Sequence, residues 1–311
     1  MLRTIFAAVA AITISSGAAM ADWAPSGPLK LWIGFGAGGE TDTLGRLIAK
    51  EVGDATGWNV VVENKPGGGG IAMFTQLATL PADGQTIGMG VTMPVLVNLT
   101  VRPDAIPFDL DSFDYLNTVA LAQLAIVAKA DAPFDDLEGL IAYSKEKGGA
   151  LMAFDAKPQE LLMNFVNGKT DAGVKLLSTK SSAEALQQVL GGHVDAAFNA
   201  GSHIPYLESG DLKMIASANA SRHSYAPDTA TVQEQGYDIY VDPWFYIAAP
   251  AGLPDDAKES LTAAISGALA SDSAKEAILN AMHTEPSMAG PDKTKAMMEA
   301  GLVNVGTLFA K

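Results

Sequence analysis

The stretch Gly34-Phe35-Gly36-Ala37-Gly38-Gly39-Glu40-Thr41-Asp42 has the residue types and spacing to do chemistry. It follows the apolar run Leu29-Lys30-Leu31-Trp32-Ile33. It precedes Leu44, Leu47, Ile48 and Val52, which are spaced as one face of a helix. A buried strand, a glycine turn and a helix start are predicted. Glycine lets backbone N–H groups approach a ligand closely, and a helix N-terminus carries partial positive charge. Together they form a cradle for an anion. Gly34, Gly36 and Gly39 also satisfy the Gly-x-Gly-x-x-Gly dinucleotide pattern, and Glu63 ends the next predicted strand, where a ribose-holding acid would stand. Glu40 opposes that use, because a carboxylate directly after the last glycine crowds a pyrophosphate.

Other chemistry is sparse. His193, His203, His223 and His283 fall in no zinc spacing. Surface or capping roles are expected for them, with His203 also placed to face a cleft. Asp109, Asp111 and Asp114 lack the glycine and bidentate Glu of a calcium loop and read as a solvated loop. Asp155 and Lys157 stand beside a predicted strand end and read as a solvated or ligand-contacting pair. There is no Gly-x-Ser-x-Gly elbow and no P-loop, and with zero cysteine neither thiol catalysis nor a disulfide is available. No catalytic residue, cofactor or metal is expected.

The elements that must position these residues alternate. A second strand is predicted over Gly57–Glu63, a glycine loop over Asn64–Gly70 and a helix over Ile71–Leu80. A third strand over Gln85–Val91 ends at Thr92-Met93-Pro94. Such β-α-β-α-β order predicts a parallel sheet with ligands at the carboxyl ends of its strands. Residues 98–116 read as irregular, and Leu116–Ala128 as a β-compatible run containing a crossing into a second domain. There the alternation resumes: a helix over Asp136–Lys147, a strand over Ala150–Phe154 and a helix entered through Pro158. Next come a strand over Val174–Leu177, a helix over Ala183–Leu190 capped by Ser181 or Ser182, and strands over Val194–Phe198 and Leu212–Ser217. Asn199-Ala200-Gly201-Ser202 opens a further helix. Ile239–Ala248, broken at Asp242-Pro243, is placed as the return crossing. Three helices after Pro254 must then pack back on the first domain. The predicted fold is α/β: two α/β domains joined by two crossing strands, with the ligand cleft between them and closure about that hinge. The first domain is assigned residues 22–123 and 244–311, and the second 124–243.

The chain has 311 residues and a formal charge of −15. Arg3, the apolar run Ile5–Ile14 and Ala19-Met20-Ala21 make residues 1–21 a secretory signal with cleavage before Asp22. An acidic, exported chain is not expected to bind nucleic acid or anionic membranes. Free nicotinamide cofactor is not expected in that compartment either.

Several motifs recur in order along the chain. They are Phe35-Gly36-Ala37-Gly38-Gly39 with Asp42, Val60-Val61-Val62-Glu63-Asn64-Lys65-Pro66-Gly67-Gly68-Gly69, and Pro81-Ala82-Asp83-Gly84-Gln85-Thr86. Leu190-Gly191-Gly192-His193-Val194-Asp195, Gly210-Asp211-Leu212, Glu234-Gln235-Gly236-Tyr237, Trp244 and Ala249–Pro254 follow. Together they resemble the extracytoplasmic solute receptors of tripartite tricarboxylate transporters, the Bug type. The resemblance implies the periplasmic binding protein type II-like fold and a monomeric periplasmic receptor. That receptor would close on a small carboxylate, a di- or tricarboxylate or aromatic acid, and deliver it to inner-membrane transporter subunits. It also implies that the first glycine loop holds one ligand carboxylate, partly through water, and that second-domain turns hold the distal end. The expected ligand contacts are Phe35, Ala37, Gly38, Gly39, Glu40, Thr41 and Asp42, with Thr92, Met93 and Trp244. Across the cleft they are Asp155, Lys157, Thr179, Lys180, Asn199 and Ala200. Phe154–Gln159 and Thr179-Lys180-Ser181 depart from the family pattern, so specificity is expected to lie there. Lys157 or Lys180 could pair with a second carboxylate, or each could be a surface lysine. Asp155 in the cleft would favour a hydroxyl or amine on the ligand.

Overall fold

Apolar side chains on both faces of a short strand call for cover on both sides, and β1 (Leu29–Ile33) has it: four of its five residues are buried and Lys30 is exposed. The computed structural model describes residues 23–309, so the expected signal segment 1–21 lies outside the described residues. β1 pairs in parallel with β2 (Val60–Asn64) and β3 (Thr86–Val91). The connections are α1 (Glu40–Thr56) and, after a single turn at Gly68–Gly70, α2 (Ile71–Leu77). α1 stops at Gly57, whose left-handed backbone (φ 76°) lets its N–H reach the Gly53 carbonyl.

One helix departs from the sequence expectation. Thr92–Val101 forms α3, starting at the expected strand end Thr92-Met93-Pro94 and running into the first residues of the stretch 98–116 read as irregular. Its residues Thr92 to Asn98 are all buried, so there is no polar face to give a 3.6-residue period. Pro94 sits in the first turn, where it costs no hydrogen bond. Residues 103–105 and 110–112 are isolated turns before β4 (Phe113–Leu121).

The chain then crosses. β5 (Ala125–Lys129) belongs to a second sheet, with α4 (Leu137–Lys147), β6 (Leu151–Phe154), α5 (Lys157–Thr170), β7 (Lys175–Ser178), α6 (Ser182–Leu190), β8 (Ala196–Asn199), α7 (Ile204–Glu208) and β9 (Leu212–Ser217). It returns through residues 218–243 to β10 (Trp244–Pro250), and then α8 (Asp255–Ala270), α9 (Asp272–Met282) and α10 (Gly290–Phe309). The sheet orders are β2-β1-β3-β10-β4 and β7-β6-β8-β5-β9. β10 is antiparallel to β3 and β4, and β5 is antiparallel to β8 and β9. The molecule is thus two α/β domains with mixed sheets. The C-terminal helices pack back as expected, α8 on α1 and β4, and α10 on α3 and β4.

A stacked pair, Phe74 and Tyr246 with centroids 5.4 Å apart, and the edge contacts of Phe113 centre the first core. Each such buried ring stabilises by about 1.5–3 kcal/mol through area alone. The apolar cluster continues across the junction through α3, which packs on α5 of the other domain.

Candidate functional site

The glycine loop is fixed from behind by Asp42. Its carboxylate accepts hydrogen bonds from the Gly38 amide (2.9 Å), Arg46 Nε (3.0 Å) and Asn64 Nδ2 (2.8 Å), and Asn64 also donates to the Phe35 carbonyl (3.1 Å). These donors hold the Asp42 carboxyl below the ordinary aspartate range against the opposing pull of burial. Asp42 therefore supports the loop and is not among the cavity-lining residues, where a ligand contact was expected. Asn64, the end of β2, is the partner that sequence reasoning missed.

Gly39 is the N-cap of α1 and offers no side-chain cap. Among the described residues, no hydrogen bond is donated by the Glu40 and Thr41 amides. They lie at a cavity of about 40 Å³ between the domains, lined by Phe35, Gly39, Glu40 and Thr41 from the first loop. Val91, Pro94 and Phe245 complete the first-domain wall; Asp155, Ala156, Gln159, Ser181, Ser182 and Ala200 form the opposite one.

The cleft is shut by bonds across it. The Gly36 amide donates to the Lys180 carbonyl (3.0 Å), and the Ser202 amide donates to Glu40 Oε1 (2.7 Å). The Ser182 hydroxyl donates to Glu40 Oε2. Gly36 and Gly39 are small for this closure: a Cβ on Gly36 would stand 3.3 Å from the Lys180 carbonyl oxygen, and one on Gly39 3.2 Å from Ser182 Oγ. Gly38 is a glycine for its backbone, with φ +82°. The glycine pattern that fits a dinucleotide thus meets protein, where a pyrophosphate would need open space.

Ser181 caps α6 by accepting from the Glu184 amide (3.2 Å). Asp155 is held by Gln159, whose Nε2 donates to Oδ1 (2.7 Å) and whose Oε1 accepts from the Asp155 amide (2.8 Å). Burial pushes the Asp155 carboxyl up to about 6; the Gln159 bond opposes the rise and the charge of Glu40 adds to it.

Of the expected contacts, Phe35, Gly39, Glu40, Thr41, Asp155 and Ala200 line this cavity. The others stand elsewhere. Ala37 and Gly38 are exposed on the outer side of the loop. Thr92, Met93 and Trp244 line a separate recess against α10. Lys157 is paired with Glu160 at 2.8 Å. Thr179 donates to the Phe154 carbonyl and, with exposed Lys180, lines an outer recess beside Gly67–Gly69. Asn199 is fully buried and donates to the Ser182 carbonyl at 2.9 Å. Asn199 ends β8 and Thr92 directly follows β3, but their side chains serve the protein.

Two histidines are corrected as well. His203 and His223 are buried, and burial drives their pKa values down to about 3 and about 4, so both are neutral. The Tyr225 hydroxyl bridges His203 Nε2 (2.9 Å) and His223 Nδ1 (2.7 Å), and His223 Nε2 meets Asn219 Oδ1 (2.8 Å). Asn219 Oδ1 also accepts from the Leu124 amide (2.6 Å), while its Nδ2 donates to the Ala122 and Val241 carbonyls (3.1 Å each). One asparagine therefore ties both crossing segments, and no spacing in the sequence marks it.

The family model described as tripartite tricarboxylate transporter family receptor matches residues 44–308, beginning just after the glycine loop. BugT of Bordetella pertussis is 31% identical over 286 residues, covering 89% of this chain and 87% of that protein. A solved structure of the periplasmic binding protein BugD superposes with a TM-score of 0.84 at 24% identity, covering 92% of this chain and 98% of that one. MatC from Rhodopseudomonas palustris with bound malate superposes at 0.82 with 21% identity, covering 92% and 99%. The last two share the two-domain fold, and among the described residues no helix is long and apolar enough to cross a membrane. By its family match and by its identity to BugT, the chain belongs to the receptor family of the tripartite tricarboxylate transporters.

Proposed function

We propose that this chain is a periplasmic receptor, without an enzymatic step or cofactor, that captures a small organic carboxylate by domain closure. It then delivers the ligand to inner-membrane transporter subunits. One observation carries the reading: a cavity at the domain junction, bordered by the uncapped N-terminus of α1 and spanned by cross-cleft bonds. A helix N-terminus presents roughly half a positive charge to an anion. The malate held by MatC, a protein of the same fold, supports a carboxylate as the ligand class.

The hinge is placed at residues 122–124 and 241–243, where Asn219 holds the two crossing segments together. That gives domains of 22–123 with 244–311, and 124–243. The ligand shell is Phe35, Gly39, Glu40 and Thr41 on one side. Asp155, Gln159, Ser181, Ser182 and Ala200 form the other.

A thermal-shift screen of the mature chain against mono-, di- and tricarboxylates, amino acids, aromatic acids and NAD tests this. A true ligand at 100 times its Kd stabilises by about 2.7 kcal/mol. Stabilisation by one or more carboxylates is expected. A shift with NAD alone would sink the receptor reading.

A further inference from the structure

The cavity holds two carboxylates and no cation. Glu40 and Asp155 are the ionisable side chains among its described lining residues. Both oxygens of Glu40 are taken, by the Ser202 amide and the Ser182 hydroxyl. Asp155 is met by neutral donors, the Gln159 side-chain amide and the Ser182 backbone amide, and by no cation. No lysine is ion-paired with it among the described residues: Lys157 is paired with Glu160, and exposed Lys180 lines the outer recess that Asp155 also borders without bonding to its carboxylate. On the facing wall, the Glu40 and Thr41 amides are open. The Thr41 side chain, 5% exposed, lines the cavity without a hydrogen-bond partner among the described residues.

From this we infer that the ligand is a short amino-carboxylate, its carboxylate on the N-terminus of α1 and its ammonium group on Asp155, which makes Asp155 the residue that sets specificity. The inference rests on the receptor reading above. The helix N-terminus offsets the charge of one ligand carboxylate. A second carboxylate would meet Asp155 and Glu40 in a small cavity with no counter-ion, which is unfavourable on both Coulombic and desolvation grounds. An ammonium group does the reverse. It supplies the missing cation to a buried carboxylate whose proton affinity is already raised by burial and by Glu40. A charge-assisted N–H···O bond would form there. The cavity volume of about 40 Å³ favours a small ligand.

The test is calorimetric titration at pH 7.5 of the mature chain with matched ligands: malonate, β-alanine and propionate; succinate, 4-aminobutyrate and butyrate; lactate and alanine. Malate and adipate complete the panel. In at least one set the amino member is expected to bind at least tenfold tighter than every other member of that set. Asp155→Asn, which keeps the size and the Gln159 contact, is expected to weaken that member at least tenfold and leave the methyl counterpart within threefold. Circular dichroism and the unliganded Tm of the variant check that it folds. If the amino member wins in no set, the inference is overturned while a carboxylate receptor stands. If the preference survives in Asp155→Asn, the assignment to Asp155 is overturned. If no carboxylate of any kind binds, the receptor reading itself fails.

Discussion

Three glycines of one loop are glycines for different reasons, and the difference is testable. Gly38 needs its left-handed backbone, whereas Gly36 and Gly39 leave room for the second-domain turn at residues 180–182. A side chain on Gly36 would sit at the seam that forms on closure. Its φ lies outside the strained left-handed range, so the open protein tolerates the substitution. Gly36→Val should therefore lower ligand affinity by about tenfold or more, roughly 1.4 kcal/mol. The unliganded Tm should change little, and small-angle scattering should show a chain that stays extended when ligand is added. Unchanged affinity would show that the seam yields. Asp42 belongs to the same scale. Its carboxylate is legible as a helix-start residue, yet its true task, holding the Gly38 amide and Asn64, depends on a strand end 22 residues away.

At the scale of elements, the alternation of short apolar runs with helical periodicity was readable because each central strand is covered on both faces. Ser181 was readable as a cap because hydroxyl side chains at that position accept an amide of the first turn. α3 was not readable: a helix buried all round has no polar stripe, and Pro94 mimicked a strand end. Half of the site was equally hidden. Gln159, Ser182 and Phe245 line the cavity because strands and helices distant in sequence meet there, and residue type alone does not announce it. The hinge is the sharpest case. Asn219 bonds Ala122, Leu124, Val241 and Asp242, tying two crossings about 120 residues apart in the chain. Removing it leaves buried backbone groups unpaired, each worth about 1–3 kcal/mol. Asn219→Ala should lower the unfolding free energy by roughly 3 kcal/mol, measured by urea titration. A loss below about 0.5 kcal/mol would mean that the crossings hold without it.

For the whole molecule, the buried relay from His203 through Tyr225 and His223 to Asn219 couples stability to pH, and the sign follows from the pKa directions. His203 and His223 have folded values depressed to about 3 and about 4. Below their unfolded value of about 6.5, the unfolded chain binds protons that the folded chain refuses. Their contribution is present above that value and is lost as the pH falls. Asp155 acts oppositely. Its folded value of about 6 lies above the unfolded one, so the folded chain gains a proton first and is relatively stabilised on acidification. Between about pH 6 and pH 4 the unfolded chain therefore binds about two protons more on histidine, and the folded chain about one more on Asp155. The net difference of about one proton predicts a fall of roughly 1.4 kcal/mol per pH unit in that window. Asp42, Asp114 and Asp195, all depressed, add losses at lower pH. Urea midpoints at pH 7, 6, 5 and 4 measure the slope. A chain carrying His203→Gln and His223→Gln should lose it, leaving stability flat or rising between pH 6 and pH 5, where Asp155 dominates, before the depressed carboxylates take over. If the double variant keeps the slope of the parent chain, the buried imidazoles are not its source.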